Sequence, residues 1–255
     1  MESRVIKLTI AYDGAGFHGW QRQPGVRTVQ EELEQTLQRV LRHPVALAAA
    51  SRTDAGVHAR GQTAHLRTDT RIPDANLPHA LNERLPEDMT IVHARRVPDG
   101  FHATRDARSK LYQYRIHAAA RGAGEFLRAG RAWQVRYALD ADRLRAAASE
   151  LVGTHDFSAF ASAGETRQST VRTVHRIDLR RRFDELLIDV EGDGFLYNQV
   201  RNMVGTLVEV GRGRWPAEHL RAVLASRDRQ QAGPTAPPHG LCLMWVRYDA
   251  DTASP

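Results

Sequence analysis

Ser51-Arg52-Thr53-Asp54-Ala55-Gly56-Val57-His58-Ala59-Arg60-Gly61-Gln62 joins two stretches with strand patterning. The segment offers a carboxylate, a guanidinium two residues before it, a glycine two residues after it and further donors. A carboxylate held ionised in such a loop serves as a nucleophile or a general base. A plainer account also fits: a hairpin in which Asp54 caps a turn and Gly56 takes positive φ. The length of the loop and its number of donors exceed what a hairpin needs, but residue types alone leave both accounts open.

Other chemistry-bearing patterns lead away from cofactors. Gly14-Ala15-Gly16-Phe17-His18-Gly19 spells GxGxxG directly after a strand pattern. A dinucleotide fingerprint needs a helix to open inside that motif, so that its N-terminus faces the pyrophosphate. Here Trp20 to Gly25 follow and the helical pattern waits until Thr28, so no nucleotide cofactor is expected. The chain contains no GKS or GKT, no HExxH, no CxxC and no GxSxG. Its 12 histidines are scattered; His58 and His65 are seven apart, across a loop and into a strand, which is not a ligand spacing. No metal and no small-molecule cofactor are expected.

The elements that must position Asp54 can be read from periodicity. Residues 4–12 alternate, with Ile6, Leu8, Ile10 and Tyr12 on one face of a strand. Thr28-Val29-Gln30-Glu31 has the form of a capping box, and Val29, Leu33, Leu37, Val40 and Leu41 follow at helical spacing. Strands are expected at 45–51, 62–68 and 89–97, with a short helix from Leu77 to Leu85. The resulting β-α-β-β-α-β order is the split βαβ unit of ferredoxin-like folds.

The second half repeats that order. It has strands at 109–118, 171–180, 185–191 and 241–248, an extra strand near 132–137, and helices around 144–151 and 195–210. Gly153 is placed to cap the first of these helices, and a short helix follows Pro216. Residues 227–240 are polar and Pro/Gly-rich, a loop. The expected class is α+β, with two similar ferredoxin-like halves whose antiparallel sheets join side by side. The halves are 1–107, which carries the Asp54 loop, and 108–255.

Composition bounds the partners. The 255 residues are 42% hydrophobic and 26% charged, ordinary for a soluble globular protein, and no apolar run is long enough to span a bilayer. The N-terminus enters a strand pattern at once, without the anatomy of a secretory leader. A single cysteine, Cys242, suits a reducing cytoplasm. Lys7 and Lys110 are the two lysines, so 36 basic residues less 2 leaves 34 arginines, and the net charge is +6. Arginine's planar fork matches phosphate oxygens, which points to a polyanion; a GC-rich genome would raise Arg and Ala together and explain the same excess.

Ordered matches along nearly the whole chain add to this reading. Ser51–Gln62 closely resembles the GRTDxGVHAxGQ signature of the tRNA pseudouridine synthase I (TruA) family, with Ser51 in place of the usual glycine. Tyr12-Asp13-Gly14, Phe17, Gly19-Trp20-Gln21 and Gln23 resemble its YDGxxFxGWQxQ opening; Val29-Gln30 and Glu34 stand where its first helix begins. Phe101-His102-Ala103 resembles its FHAR element, with Thr104 replacing the arginine and Arg105 next. Lys110 to Tyr114 is similar to its K/RxYxY strand, and His155-Asp156-Phe157 with Phe160 to its DFxxF turn. Gln199 to Gly205 resembles its VRNMVG helix, and Gly233 to Leu241 its APxxGL ending.

The resemblance implies the pseudouridine synthase fold and isomerisation of uridine to pseudouridine at positions 38, 39 and 40 of the tRNA anticodon arm. It implies a cytoplasmic homodimer that needs no cofactor. Asp54 is then the catalytic carboxylate, and Arg201 the cation expected to hold it ionised. Tyr112 stacks on the flipped uracil, and Arg52 contacts RNA. Plainer roles stand beside these: Tyr112 as strand core, Arg201 as a solvated helix residue, Arg52 as a surface turn arginine, and Trp20 as either core or pocket wall. The function of another class that shares the charge and the fold order is a non-catalytic RNA-binding protein.

Overall fold

Alternation in the first strand decides the first layer. In β1 (Arg4–Tyr12), Ile6, Leu8 and Ile10 are fully buried, and their period of two places them on one face of the sheet. The structure, a computed structural model, describes residues 3–118, 130–164 and 168–249. It divides into one unit of Met1–Arg108 with Cys242–Pro255 and a second of Ser109–Leu241.

In the first unit, β1 lies between β3 (His58–Thr68) and β4 (Met89–Val97), antiparallel to both. Helices α1 (Val29–Leu41) and α2 (Leu77–Asn82) bury Val29, Leu33, Leu37, Leu77 and Leu81, each such side chain contributing about 1.5–3 kcal/mol. The free edge of β3 is shared. The two-residue β2 (Ala48–Ala49) pairs antiparallel with Ala64 and His65, completing the ferredoxin-like order β4-β1-β3-β2. Further along that edge, β10 (Leu241–Tyr248) runs parallel, with Cys242 opposite His58 and Leu243 opposite Ala59.

In the second unit, β5 (Ala107–Ala118), β9 (Glu185–Gly192), β8 (Val171–Arg182) and β7 (Gly153–Asp156) are antiparallel neighbours in that order. The short β6 (Trp133–Val135) runs parallel to β5. Helix α3 (Ala141–Ser149) is capped by the Asp140 carboxylate, which accepts the Asp142 and Arg143 amides. Helix α4 (Gln199–Gly211) is buried all round except at Arg201, the pattern of a core helix. Helix α5 (His219–Ser226) follows. With mostly antiparallel strands and segregated helices, the class is α+β.

Several local expectations give way to tertiary contacts. The capping box is not formed: Thr28 is fully buried and its hydroxyl has no hydrogen-bond partner among the described residues. The first amides of α1 donate instead to backbone, Val29 to the Gly19 carbonyl at 3.1 Å and Gln30 to the Trp20 carbonyl at 3.0 Å. The strand expected at 45–51 shrinks to β2, partly because the Leu47 amide goes to the buried Glu34 carboxylate at 2.9 Å. The loop before the next strand ends early, so that the strand begins at His58 rather than residue 62. Gly153 has φ +116 but opens β7, while α3 closes through tight turns at 150–152. Pro216 lies in a turn ahead of α5 and accepts the His219 amide.

The loop 232–237 is seated on α4 by a close approach. A Cβ at Gly205 would stand 1.7 Å from the Pro234 carbonyl oxygen. Gly205→Ala is therefore expected to destabilise the protein by about 2–3 kcal/mol, through overpacking that backbone cannot relieve. Urea unfolding of the variant beside the parent checks this; an unchanged midpoint would show that the loop moves freely.

Candidate active site

The Asp54 loop is held by backbone on one side and hydroxyls on the other. Thr53 is buried, its hydroxyl 2.7 Å from the Tyr12 hydroxyl and its carbonyl accepting the Trp20 amide at 3.0 Å. The Gly56 amide donates to the Phe17 carbonyl at 3.2 Å, and Val57 closes a turn onto the Asp54 carbonyl at 3.1 Å. Gly56 sits at φ +76, as a type II turn requires at its third position. The turn is thus closed by the main chain of Asp54, whose side chain is half-buried. Ser51 has no positive φ, so the usual glycine is not demanded there; its carbonyl accepts Gln62 Nε2 at 2.7 Å.

The glycines of the GxGxxG segment have a packing role. A Cβ at Gly14 would lie 2.1 Å from the Val57 carbonyl oxygen, and one at Gly19 would lie 2.8 Å from the Thr53 oxygen. The segment is pinned by Arg27, whose guanidinium lies 4.1 Å from the Phe17 ring centroid and forks onto Asp88 at 2.6 and 3.0 Å. That bond to Asp88 raises the Arg27 pKa above its ordinary value. Trp20 is 2% exposed, which makes it core in this unit. Arg52, on the same loop as Asp54, is exposed and has no partner among the described residues.

The second unit holds the other two expected residues. Tyr112 is buried on β5 opposite Val190, its ring edge-on to Phe195 at 5.4 Å. Arg201, in the first turn of α4, is half-buried and fixed rather than solvated. Its Nε donates to the Ala236 carbonyl at 2.8 Å and its Nη1 to Asn198 Oδ1 at 2.6 Å. Its charge reaches Tyr114: burial pushes that phenol far above its ordinary pKa, and Arg201 opposes the rise. Tyr114 donates to the Pro237 carbonyl at 2.7 Å, and a Cβ at Gly240 would lie 2.6 Å from its ring.

Residues that patterning did not single out hold this arrangement. Asn198 takes φ +59, a conformation Asn tolerates better than most, and its side chain links Arg201 to Ser162 Oγ. Asn before a helical run signals an N-cap, but here the side chain turns to its neighbours instead. Asn202 falls within the Gln199–Gly205 stretch without having been given a role, and Arg229 sits in a polar segment where sequence offers only composition. Among the described residues no cluster of three or more His, Cys, Asp or Glu is placed to hold a metal ion. Among them too, no helix is long and apolar enough to cross a membrane.

Comparison with known proteins agrees across both units. The tRNA pseudouridine synthase family profile matches residues 8–105 and 147–249. A tRNA pseudouridine synthase A of Thermoanaerobacter sp. (strain X514) is 43% identical over 96% of this chain and 100% of its own length. Proteins of the same name from Syntrophotalea carbinolica and Halalkalibacterium halodurans are each 45% identical. The first match covers 96% of both chains; the second covers 92% of this chain and 89% of the relative. By the extent of these matches, the chain belongs to the tRNA pseudouridine synthase family.

Proposed function

We propose that this isomerase converts uridine to pseudouridine in tRNA, with Asp54 as the catalytic carboxylate at the base–sugar junction of a flipped uridine. The observation that carries the reading is the mounting of Asp54. Its loop is fixed by Tyr12, Phe17 and Trp20, in a chain that matches the family on both sides of it. The reaction detaches uracil from ribose, turns it and rejoins it through C5, so it consumes no electrons and no group donor. A carboxylate serves it by attack at C1′ or at C6, or by abstracting a sugar proton. A rigid mount keeps that oxygen in one place while the base turns.

Tyr112, Arg201 and Arg52 serve as substrate-binding groups. Tyr112 stacks on the flipped base, and Arg201 supplies fixed positive charge. Arg52, exposed beside Asp54, meets the RNA backbone and helps to keep the base out of its stack, a displacement that costs a few kcal/mol. The substrate is the anticodon arm, at positions 38, 39 and 40. The enzyme works in the cytoplasm as a homodimer.

Two measurements test this. Net charge +6 implies that phosphate contacts carry much of the affinity, so the dissociation constant for unmodified tRNA should rise steeply with salt as counterion release loses its drive. A flat salt dependence between low and moderate ionic strength would remove the electrostatic part of the argument.

The second is Asp54→Asn. The backbone carbonyl of residue 54 still closes the turn onto Val57, so folding and tRNA binding are expected to persist. Pseudouridine formation is expected to vanish even at single turnover with excess enzyme, because the ionised oxygen is gone. If Asp54 only braced the hairpin, the variant would lose on the order of 1 kcal/mol of stability and stay active. Appreciable conversion by folded Asp54→Asn protein would overturn the assignment, and would favour a binding protein or a different catalytic group.

A further inference from the structure

Arg201 is held by a loop whose own conformation depends on another arginine. Its Nε donates to the Ala236 carbonyl at 2.8 Å, and the Ala236 amide returns a bond to the Arg201 carbonyl at 3.2 Å. Ala236 lies in the 232–237 segment, which has no ladder of its own, and side chains satisfy several of its polar groups. The Arg229 guanidinium donates to the Gly233 carbonyl at 2.9 Å, the Ala232 carbonyl at 3.5 Å, Asn202 Oδ1 at 3.0 Å and Thr235 Oγ1 at 3.0 Å.

The network continues inward. The Thr235 hydroxyl donates to Asn202 Oδ1 at 2.7 Å, and Asn202 Nδ2 donates to the Phe160 carbonyl at 2.7 Å. Thr206 Oγ1 accepts the Gly233 amide at 2.9 Å and donates to the Asn202 carbonyl at 2.7 Å. Both terminal nitrogens of Arg229, the Thr235 and Thr206 hydroxyls and the Asn202 amide thus meet acceptors, which makes such a network rigid, and losing one node strands the others. Burial lowers the Arg229 pKa from its ordinary value, so the four acceptors offset a real desolvation cost. A lysine there would bring a point charge without the planar fork that spans those acceptors.

We infer that Arg229 is a positioning residue for the reaction: it sets the 232–236 turn so that the Ala236 carbonyl holds the Arg201 guanidinium in one orientation. The inference rests on the reading of Arg201 as a substrate-binding group. It separates Arg229 from an ordinary stabilising residue, because its effect on rate must pass through Arg201.

A double-mutant cycle tests this. Arg229→Lys should slow single-turnover pseudouridine formation about tenfold, while the tRNA dissociation constant stays within about twofold. In the Arg201→Met background the same substitution should change the rate by no more than about twofold, since nothing is left to orient. Thr235→Val keeps every charge and removes one node; it should show the same dependence on Arg201 and serves as the readout should Arg229→Lys fail to fold. A further fall of about tenfold in the Arg201→Met background would overturn the inference alone, showing that Arg229 acts independently. A parental rate in Arg229→Lys would do the same. A parental rate in Arg201→Met by itself would instead remove the role given to Arg201, and the inference with it.

Discussion

The main chain of residues 53–57 lies directly against the main chain of residues 14–20, with no side chain between them. A Cβ at Gly14 would collide with the Val57 carbonyl at 2.1 Å, and the Trp20 amide reaches the Thr53 carbonyl at 3.0 Å. The rest of the first unit depends on this approach. The same 14–20 segment offers its Gly19 and Trp20 carbonyls to the first amides of α1, so one stretch of backbone fixes both the Asp54 loop and the start of the helix. The helix then carries Leu33 and Leu37 into the core, and Tyr12, at the end of β1, returns a hydroxyl to Thr53. The loop that carries Asp54 is therefore coupled to the hydrophobic core by short, directional contacts.

The second unit uses the same device with a polar interior. Gly205 lets the Pro234 carbonyl come against α4, and Thr206 takes up the Gly233 amide. A helix buried on nearly all sides leaves no solvent to satisfy the loop that crosses it, so Asn202, Thr235 and Arg229 must do so. Buried polar networks of this kind stabilise little beyond what an apolar core would, but they admit few alternative arrangements. The consequence is a single place for Arg201, at the one position of α4 that is not buried.

How much of this can be read from the chain depends on the range of the forces involved. The strands at 4–12, 89–97 and 241–248 follow from short-period burial, as does α1, and the structure has them, like the strand at 185–191, within a residue or two. Asp54 and Gly56 stand out because turn chemistry is local. Thr28 misleads for the opposite reason: its capping pattern is local, but backbone carbonyls from nine and eight residues earlier reach the helix end first. Gly14 and Gly19 spell a phosphate loop because a close approach to backbone and a close approach to pyrophosphate both require the absence of a Cβ. Only the partner distinguishes them, and here the partner is residues 53–57 of the same unit. Arg229 carries no signal, since its acceptors are loop carbonyls and a side chain 27 residues away.

The arginine excess divides into two physical populations, and composition alone cannot separate them. Strand β9 buries three carboxylates on one face, Glu185, Asp189 and Glu191, each under 8% exposed. Each is matched by an arginine: Arg115 on Glu185, Arg180 on Asp189 and Arg176 on Glu191. Gln113 and Ser109 add second donors to Asp189 and Glu191 at 2.8 and 2.9 Å. Buried charges persist only with such partners, so these guanidinium groups are committed to the fold and have little left to offer a phosphate. Arg52, Arg60, Arg181 and Arg182 are different: they are exposed and have no partner among the described residues. The attraction for a polyanion therefore scales with the net charge and with this second population, not with the count of 34. Arg52 lies on the Asp54 loop and Arg60 in β3 just after it, so part of the uncommitted charge sits on or directly after the loop that carries the proposed chemistry.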